Sequence, residues 1–281
     1  MPDLKPPYPV TYIRPLERRL SLNLDLNELR AYRELLYFLV WRDVKVRYKQ
    51  TVLGIGWAIL QPFIQMVIFS IFFGRLAGLD SDGVPYPLFS YTALVPWSFF
   101  AAGLQQSAIS LVDNHRLIRK VYFPRLFIPT SRILSALVDF VLAFIVLVGM
   151  MLYYGHIPGL KILMLPPLIL LMLVTVWGVG LWLSALNVLY RDVRYLLPFI
   201  IQAWLFITPV VYSSNLLSSS WQVIYSLNPM VGVIEGFRWI LLDTNTAPGS
   251  MILVSAAGSI LITLAGIWYF QHLQETFADV I

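Results

Sequence analysis

Long stretches without a single charged residue recur along this chain of 281 residues. Each stretch is long enough to cross a hydrocarbon core of about 30 Å as a helix. Lipid offers the backbone no hydrogen-bond partners, so a spanning segment must be a helix or part of a closed barrel, and continuous apolar runs without period-2 alternation exclude the barrel. Only 12% of the residues are charged, against roughly 25% in soluble domains. The sequence therefore predicts an all-α integral membrane protein.

The apolar runs predict six transmembrane helices. The fifth run continues to residue 234, which is too long for one span, and Thr208-Pro209 and the serines of SSNLLSSSW interrupt it. We interpret the residues beyond 211 as short external helices between spans five and six, which do not cross. The six spans are predicted at 50–74, 83–112, 127–154, 162–190, 195–211 and 250–270.

The distribution of Lys and Arg predicts the orientation. Ten of the twenty precede the first span, and seven more lie in or beside the loops that follow spans two and four. Only Arg75, Lys161 and Arg238 fall on the opposite side. Both termini are therefore predicted to be cytoplasmic. The net charge of +5 follows from this topology, and nucleic-acid binding is disfavoured because no basic patch stands apart from a membrane boundary.

Four segments are predicted along the chain: a cytoplasmic leader at 1–26, an amphipathic interface helix at 27–52, the transmembrane domain at 53–272 and a cytoplasmic C-terminus at 273–281. In the interface helix, apolar residues from Leu29 to Tyr48 recur at helical spacing. Basic residues lie off this stripe, where they can meet anionic lipid headgroups. The alternative is a helix that packs only on its own protein. The basic residues assigned to headgroups are Arg42, Lys45, Arg47 and Lys49.

Two short cytoplasmic loops, about 113–126 and 190–197, are predicted to couple the chain to a cytoplasmic partner. In the first, Asp113 or Asn114 can cap a short helix that Pro124 ends. A plain loop that obeys the positive-inside rule would carry the same charges, so this alternative stays open. The residues assigned to coupling are Asp113, His115, Arg116, Arg119, Lys120, Tyr190, Arg191, Asp192 and Arg194.

An external gate is predicted at about 213–243. Asn228-Pro229 is typical of a helix start, with Asn as the cap and Pro at the first helical position. Glu235 and Arg238 are three residues apart and can pair on that helix. Irregular backbone at membrane depth is tolerated only when it is buried in protein or lines a wet cavity. The alternative is an ordinary external helix that lies on the surface.

Polar and aromatic residues inside the spans are further candidates for function. Asp139 in span three must face protein or water because a lone carboxylate is costly in lipid, and Ser135, one turn earlier, can donate a hydrogen bond to it. We favour a structural role for Asp139 over a proton relay. Trp97, Phe99 and Phe100 follow Pro96 in span two and are candidates to line a path for sugars. Interfacial belts or packing are the alternative for these aromatic residues.

The chain lacks recognisable catalytic and energy-coupling groups. It contains no G-x-x-x-x-G-K-[ST] phosphate loop, no cysteine, and only three histidines, which are far apart in sequence. We therefore expect no enzyme activity, metal or cofactor in this chain, and transport would need an energy source in another subunit.

Four segments carry a resemblance to a known family, in the same order and topology. The chain resembles the membrane subunit of ABC-2 type exporters of cell-surface polysaccharide, the group that includes O-antigen and teichoic acid permeases. The matching segments are RDVKVRYKQTVLGIGWAILQP (42–62), VYFPRLFIP (121–129) followed by LVDF (137–140), LNVLYRDVRYLLPF (186–199) and LNPMVGVIEGFRW (227–239).

The resemblance implies a permease with two copies of the chain and two separate ATP-binding cassette subunits, in the cytoplasmic (inner) membrane. The partner subunits would bind ATP and Mg²⁺ and dock on the interface helix and the two loops. The substrate would be a glycan on a polyprenyl diphosphate lipid, such as the O-antigen of lipopolysaccharide. The diphosphate would need cationic partners, for which the basic residues of the interface helix are candidates.

Two alternatives stay open on the sequence. An ABC-2 exporter of a drug or small lipid would share the fold. A membrane glycosyl- or acyltransferase would need a catalytic acid or histidine cluster, which the sequence does not contain.

Overall fold

The computed structural model describes residues 26–49, 54–244, 248–274 and 277, and these residues form eleven α-helices and no β-strand. A π-helical stretch, Ser70–Leu76, extends the third helix, and a 3₁₀ turn, Leu160–Met164, precedes the seventh. Residues 1–25 of the predicted leader and most of the predicted C-terminal segment lie outside the described residues. In chain order the helices are α1 (Leu26–Ala31), α2 (Arg33–Tyr48), α3 (Gly56–Phe69), α4 (Tyr86–Asp113), α5 (His115–Lys120), α6 (Phe127–Tyr154), α7 (Leu165–Leu189), α8 (Val193–Ile207), α9 (Ser219–Tyr225), α10 (Pro229–Leu241) and α11 (Gly249–Leu273).

Four helical stretches of the described chain are long and apolar enough to cross a membrane. They are Gly56–Leu76, Phe127–Tyr154, Leu160–Leu189 and Gly249–Leu273. The prediction of a multi-pass helical membrane protein is thereby confirmed. Of the two other predicted spans, α4 has 28 residues and measures about 42 Å at 1.5 Å per residue. Helix α8 has 15 residues and measures only about 22 Å.

Helix α4 lies at the centre of the helix bundle. It packs most extensively on α6 and α7 and also contacts α3, α8 and α10. Tyr91, Leu94 and Leu104 on this helix are fully buried. A helix that is surrounded by protein can carry serine and threonine at a lower cost than one that faces lipid, and those of α4 include the fully buried Ser90 and Thr92.

Small residues bring α7 and α11 into direct backbone contact. A Cβ atom added at Gly266 of α11 would collide with the carbonyl oxygen of Gly178 on α7. Hydroxyl groups reinforce this contact: Thr263 Oγ1 donates to the Val174 carbonyl at 2.9 Å, and the Thr175 and Ser259 hydroxyls lie 2.8 Å apart. In membrane proteins, small residues let two helices approach closely, and hydroxyl groups form hydrogen bonds between them.

The predicted interface helix is divided in two. Helix α1 ends at Ala31, Tyr32 interrupts the helix, and α2 begins at Arg33. The most buried line of α2 runs through Leu39 and Asp43, and it is offset from the apolar stripe that the sequence indicates. Helix α2 packs on α6. Three large aromatic side chains of α2 are nevertheless exposed, namely Tyr37, Phe38 and Trp41.

A second, smaller hydrophobic cluster closes one end of the bundle, and we call it the end cluster. It gathers side chains from α4, α5, α6, α7 and α11 and from the connection between α5 and α6, together with Phe277, which is fully buried. The ring centroids of Phe270 and Phe277 lie 5.2 Å apart, edge to face. The end cluster includes Leu111, Ile118, Phe123, Val188, Phe270 and Phe277.

Helix α8 ends earlier than the sequence indicates. The fifth span was expected to reach about Val211, but the helix ends at Ile207 and Thr208 adopts an extended conformation. The cause is Pro209, because a residue before proline is driven out of the helical region. The irregular segment that follows is nevertheless buried, with Thr208 and Val210 at 0% exposure.

Candidate functional site

A cavity of about 450 Å³ lies between the C-terminal end of α2 and helices α3, α4 and α6. Its polar lining is rich in glutamine: Gln61 and Gln65 come from α3, and Gln105 and Gln106 come from α4. Gln61 and Gln105 are exposed although they belong to apolar helices. A carboxamide offers both donors and acceptors, so this wall can bind hydroxyl groups.

Aromatic and small apolar residues form much of the remaining lining. Trp97 and Phe99, two of the three aromatic residues predicted to line a sugar path, belong to the cavity lining. Both are mostly covered, at 3% and 1% exposure. The third, Phe100, is outside the lining and packs edge to face on Trp204, with ring centroids 5.0 Å apart. Phe100 therefore contributes to the core.

Sequence reasoning missed Trp57, the most accessible aromatic residue of this wall, which is 51% exposed. Trp57, Gln61 and Gln65 are spaced four residues apart and therefore form one stripe along α3. The signal was available in the sequence, because glutamines at helical spacing inside a charge-free span are unusual.

Arg47 and Asp139 form an ion pair at one end of the cavity. Arg47 also donates to Gln106 and, at 2.9 Å, to the Ser135 hydroxyl, and Tyr48 donates its hydroxyl proton to Asp139. Ser135 was expected to donate to Asp139, and this detail is wrong: its hydroxyl donates to the Arg132 carbonyl at 2.8 Å. Asp139 is therefore satisfied by two residues of α2.

A second ion pair joins α2 to α6 with the charges reversed. Asp43 of α2 is buried and accepts from Arg42 at 2.8 Å and from the Ser131 hydroxyl at 3.0 Å. Arg132 of α6 lies 3.5 Å from the same carboxylate. None of these four residues belongs to the cavity lining.

The basic residues predicted to meet lipid headgroups thus have different surroundings. Arg47 turns into the cavity, whereas Arg42 pairs with its neighbour Asp43. Lys45 is exposed and lies over the Trp41 ring, 5.0 Å from its centroid, and Lys49 is also exposed. Only Arg47 combines a cavity position with an internal partner on another helix.

The two predicted coupling loops emerge from the same end of the bundle. Asn187, near the end of α7, donates to the Ala108 carbonyl near the end of α4 at 3.0 Å. The loops that follow these helices carry exposed side chains at most of the assigned positions, while His115 is half-buried, with Nδ1 3.0 Å from the Val112 carbonyl oxygen. The exposed members are Asp113, Arg116, Arg119, Lys120, Tyr190, Arg191, Asp192 and Arg194.

Helix α5 occupies the first coupling loop, as predicted, but its ends differ in detail. Asn114 stands at the cap position, yet its side chain donates to the Ser110 carbonyl at 2.8 Å and does not cap α5. The helix ends at Lys120, four residues before Pro124. Beyond it, the exposed Tyr122 hydroxyl bonds to Glu28 of α1, and the negative charge of that carboxylate raises the pKa of Tyr122.

The predicted start of α10 is confirmed. The side-chain amide oxygen of Asn228 accepts from the backbone N–H of Met230 at 3.1 Å, and Pro229 occupies the first turn. The Asn228 amide also donates to the Thr208 hydroxyl at 2.9 Å. The cap of α10 is therefore tied to the irregular segment that follows α8.

Arg238 binds the irregular segment after α8 through a buried guanidinium group. Its side chain is fully buried, pairs with Glu235 at 3.2 Å as predicted, and donates to the Val210 carbonyl at 2.9 Å and the Tyr212 carbonyl at 3.2 Å. Its guanidinium lies over the Phe89 ring of α4, 3.6 Å from the centroid. One cation therefore joins α4, α10 and the turn after α8.

Asp82 binds the residues at the end of this segment, and the sequence analysis did not single it out. Its carboxylate accepts from the Ser213 hydroxyl at 2.7 Å and from the Asn215 amide at 3.0 Å. Ser213 and Asn215 come 131 and 133 residues after Asp82, so no local pattern could reveal the contact.

Comparison with known proteins identifies the family of this helical architecture. The chain matches the ABC-2 type transporter family over residues 34–242, a range that includes the cavity, both coupling loops and the segment around Arg238. The chain belongs to the ABC-2 type transporter family.

Curated ABC-2 relatives cover most of the chain. It is 29% identical over 259 residues to the O-antigen export system permease protein RfbA of Myxococcus xanthus, covering 91% of this chain and 98% of the relative. The RfbA protein of Klebsiella pneumoniae is 28% identical, over 88% of this chain and 95% of its own length. The polysialic acid transport protein KpsM of Escherichia coli is 23% identical, over 83% of this chain and 91% of its own.

Proposed function

We propose that the chain is the membrane permease subunit of an ATP-driven exporter that moves a polysaccharide, carried on a polyprenyl diphosphate lipid, across the cytoplasmic (inner) membrane. Two copies of the chain form the path, and two ATP-binding cassette subunits, which hold ATP and Mg²⁺, dock at the coupling loops. The relatives named for O-antigen and polysialic acid transport support this substrate class.

The glutamine- and tryptophan-lined cavity is the observation that carries the proposal. An amide in contact with lipid loses its hydrogen bonds to water, at a cost of roughly 1–3 kcal/mol, so Gln61 and Gln105 must face water or another protein surface. Amides satisfy sugar hydroxyls, and the Trp57 ring offers an apolar face to sugar C–H groups. A drug-like or small lipid substrate would favour an apolar wall instead.

The exposure of the first span supports a pair of chains. Only 17% of the most apolar part of Gly56–Leu76 is buried, against 33–39% in the three other candidate spans. This helix nevertheless carries the Trp57–Gln61–Gln65 stripe. A second copy that faces α3 would enclose the stripe in a path shared by the two protomers.

From the apolar runs and the Lys/Arg asymmetry we infer six spans with both termini in the cytoplasm. Helix α4 is the second span, and its polar residues are tolerated because protein surrounds it. Helix α8, with the buried segment Thr208–Val211 behind it, is the fifth. Irregular backbone is acceptable at that depth because it is covered by protein.

Export in a deletion strain tests this function. Loss of the chain should abolish surface polysaccharide and lead to its accumulation inside the cell, and the wild-type gene should restore export. The Gln61→Leu/Gln65→Leu variant should insert normally, because leucine suits the membrane better than glutamine, but should restore little export. An Ile64→Leu/Ile68→Leu variant, which alters exposed apolar positions of the same helix, is the matched control and should export normally. Unchanged surface polysaccharide in the deletion strain would refute the function.

A further inference from the structure

The charges that reach the cavity make up a single pair. Among the lining residues that the structure describes, Arg47 is the one cation and Asp139 is the one anion. Their side chains are 22% and 25% exposed, so both are accessible from the cavity. The charges of the described lining therefore balance, and its positive group is already paired with a carboxylate.

The surroundings of Arg47 are those of a site for oxyanions. A guanidinium presents a planar fork of N–H groups that fits carboxylate and phosphate oxygens alike. Around it stand the Gln106 amide, the Ser135 hydroxyl and the Tyr48 hydroxyl. The Gln106 amide and the Tyr48 hydroxyl can donate to phosphate oxygens once Asp139 no longer occupies the fork. The Ser135 hydroxyl donates to the Arg132 carbonyl and accepts from Arg47, so it helps to position the guanidinium.

Docking of α2 on α6 does not depend on this pair alone. The reversed pair, Asp43 with Arg132, lies outside the cavity lining, and the Asp43 side chain is only 2% exposed. The two carboxylates therefore differ: Asp43 is enclosed between the helices, whereas Asp139 is 25% exposed and lines the cavity. An enclosed carboxylate suits a fixed contact, and an accessible one can be exchanged for the anion of a ligand.

We propose that Arg47, with Tyr48 and Gln106, forms a binding site for a diphosphate group, and that Asp139 is an internal anion which the ligand displaces from Arg47. This inference rests on the proposed function and adds to it where the lipid end of the substrate is recognised. Neutral sugars cannot compete with a carboxylate for the guanidinium, so the polymer passes while the pair stays closed. The diphosphate carries more charge than Asp139 and opens the pair.

Binding of farnesyl diphosphate to the purified full-length chain in phosphatidylcholine nanodiscs tests the site. Asp139→Asn removes the competing charge and should tighten binding by about tenfold, the scale of one charge-assisted hydrogen bond. Arg47→Gln should weaken binding by at least about tenfold for the same reason. The double variant should bind as weakly as Arg47→Gln, because the gain from Asp139→Asn requires the guanidinium.

Asp43→Asn is the matched control, since it removes a carboxylate from the same helix pair but outside the cavity, and it should leave the affinity unchanged. Arg47→Lys keeps the charge without the fork and should bind more weakly than wild type, which provides a second test if Arg47→Gln fails to fold. Equal affinity of wild type and a folded Arg47→Gln variant, or no gain from Asp139→Asn, would overturn the proposal.

Competing ligands distinguish the source of the phosphate. Inorganic pyrophosphate should displace farnesyl diphosphate in an Arg47-dependent manner, and farnesyl monophosphate should compete less well. Competition by phosphatidylglycerol in the nanodisc as effective as that by pyrophosphate would assign the site to bulk membrane lipid and overturn the proposal. A chain that exports polysaccharide but binds diphosphate without Arg47 refutes this inference alone. Binding through Arg47 in a chain that is not needed for surface polysaccharide refutes the export function alone.

Discussion

At the residue scale, Arg238 shows how one buried cation can organise the irregular segment that follows α8. It lies over the ring of Phe89 and forms an ion pair with Glu235. It also donates hydrogen bonds to the carbonyl oxygens of Val210 and Tyr212. Its Nε atom is buried without a hydrogen-bond partner. A charge in this position is stable only while all its neighbours stay in place, so the turn after α8 and helix α10 should move together.

Removal of this cation should be costly. Arg238→Ala leaves Glu235 buried without its partner and frees two carbonyl groups, so we expect a loss of about 3–5 kcal/mol in stability. Thermal unfolding in detergent, followed by tryptophan fluorescence, measures the loss. Arg75→Ala is the control, because Arg75 is exposed and belongs to the same predicted side of the membrane. Equal melting temperatures for the two variants would show that the buried network has no structural role.

At the scale of elements, the contact between α7 and α11 is determined by the smallest residues. Gly178 and Gly266 meet backbone to backbone, while Thr263 donates across the same contact. No side chain can be added at either glycine unless the helices separate. Polar groups of α11 and α7 that now bond to each other would then lose their partners.

Gly266→Ala should therefore destabilise the bundle. We expect a loss of about 1–3 kcal/mol, the usual range for overpacking a close contact, measured as a lower midpoint of unfolding in detergent. Gly149→Ala on α6 is the matched control because a Cβ atom there meets nothing within 4 Å. If both glycine variants unfold at the wild-type midpoint, the close approach of α7 and α11 is not needed for stability.

At the scale of the whole molecule, the described helices offer two exposed charged loops at one end for a cytoplasmic partner. We expect the Arg116→Ala/Arg119→Ala variant to insert normally but to lose most export, because the ATP-binding subunit loses two cationic contacts on α5. The measurements are surface polysaccharide and co-purification of the ATPase. The Arg116→Lys/Arg119→Lys variant keeps the orienting charge and should retain more export. Full export by the alanine variant would mean that these charges set orientation only.

The topology can be tested directly because the chain contains no cysteine. We expect a Gly159→Cys variant to react with a membrane-impermeant maleimide in intact spheroplasts, since Gly159 is an exposed residue in the connection after α6. Lys120→Cys, at the end of α5, should react only after the membrane is permeabilised. The reverse pattern of labelling would contradict the positive-inside assignment.

The sequence predicts the helical class, the positions of most helices and the loop charges because hydropathy and Lys/Arg asymmetry are local properties. It also predicts the Asn228 cap and the Glu235–Arg238 pair, which depend on neighbours within one turn. It does not predict that Asp139 pairs with Arg47 or that Asp82 binds Ser213, since 92 and 131 residues separate these partners. The cavity is also invisible in a single helix, because α2, α3, α4 and α6 must come together to form it.

The burial of Phe277 has a practical consequence for work on this protein. Its ring rests on Phe270 within the end cluster, which also holds Ile118 of α5. A chain shortened to residue 274 would remove the Phe277 ring from this cluster, and we expect the coupling loop that shares the cluster to loosen. An affinity tag should therefore be placed so that Phe277 is kept, and the effect of a deletion that removes Phe277 should be interpreted as damage to the coupling surface.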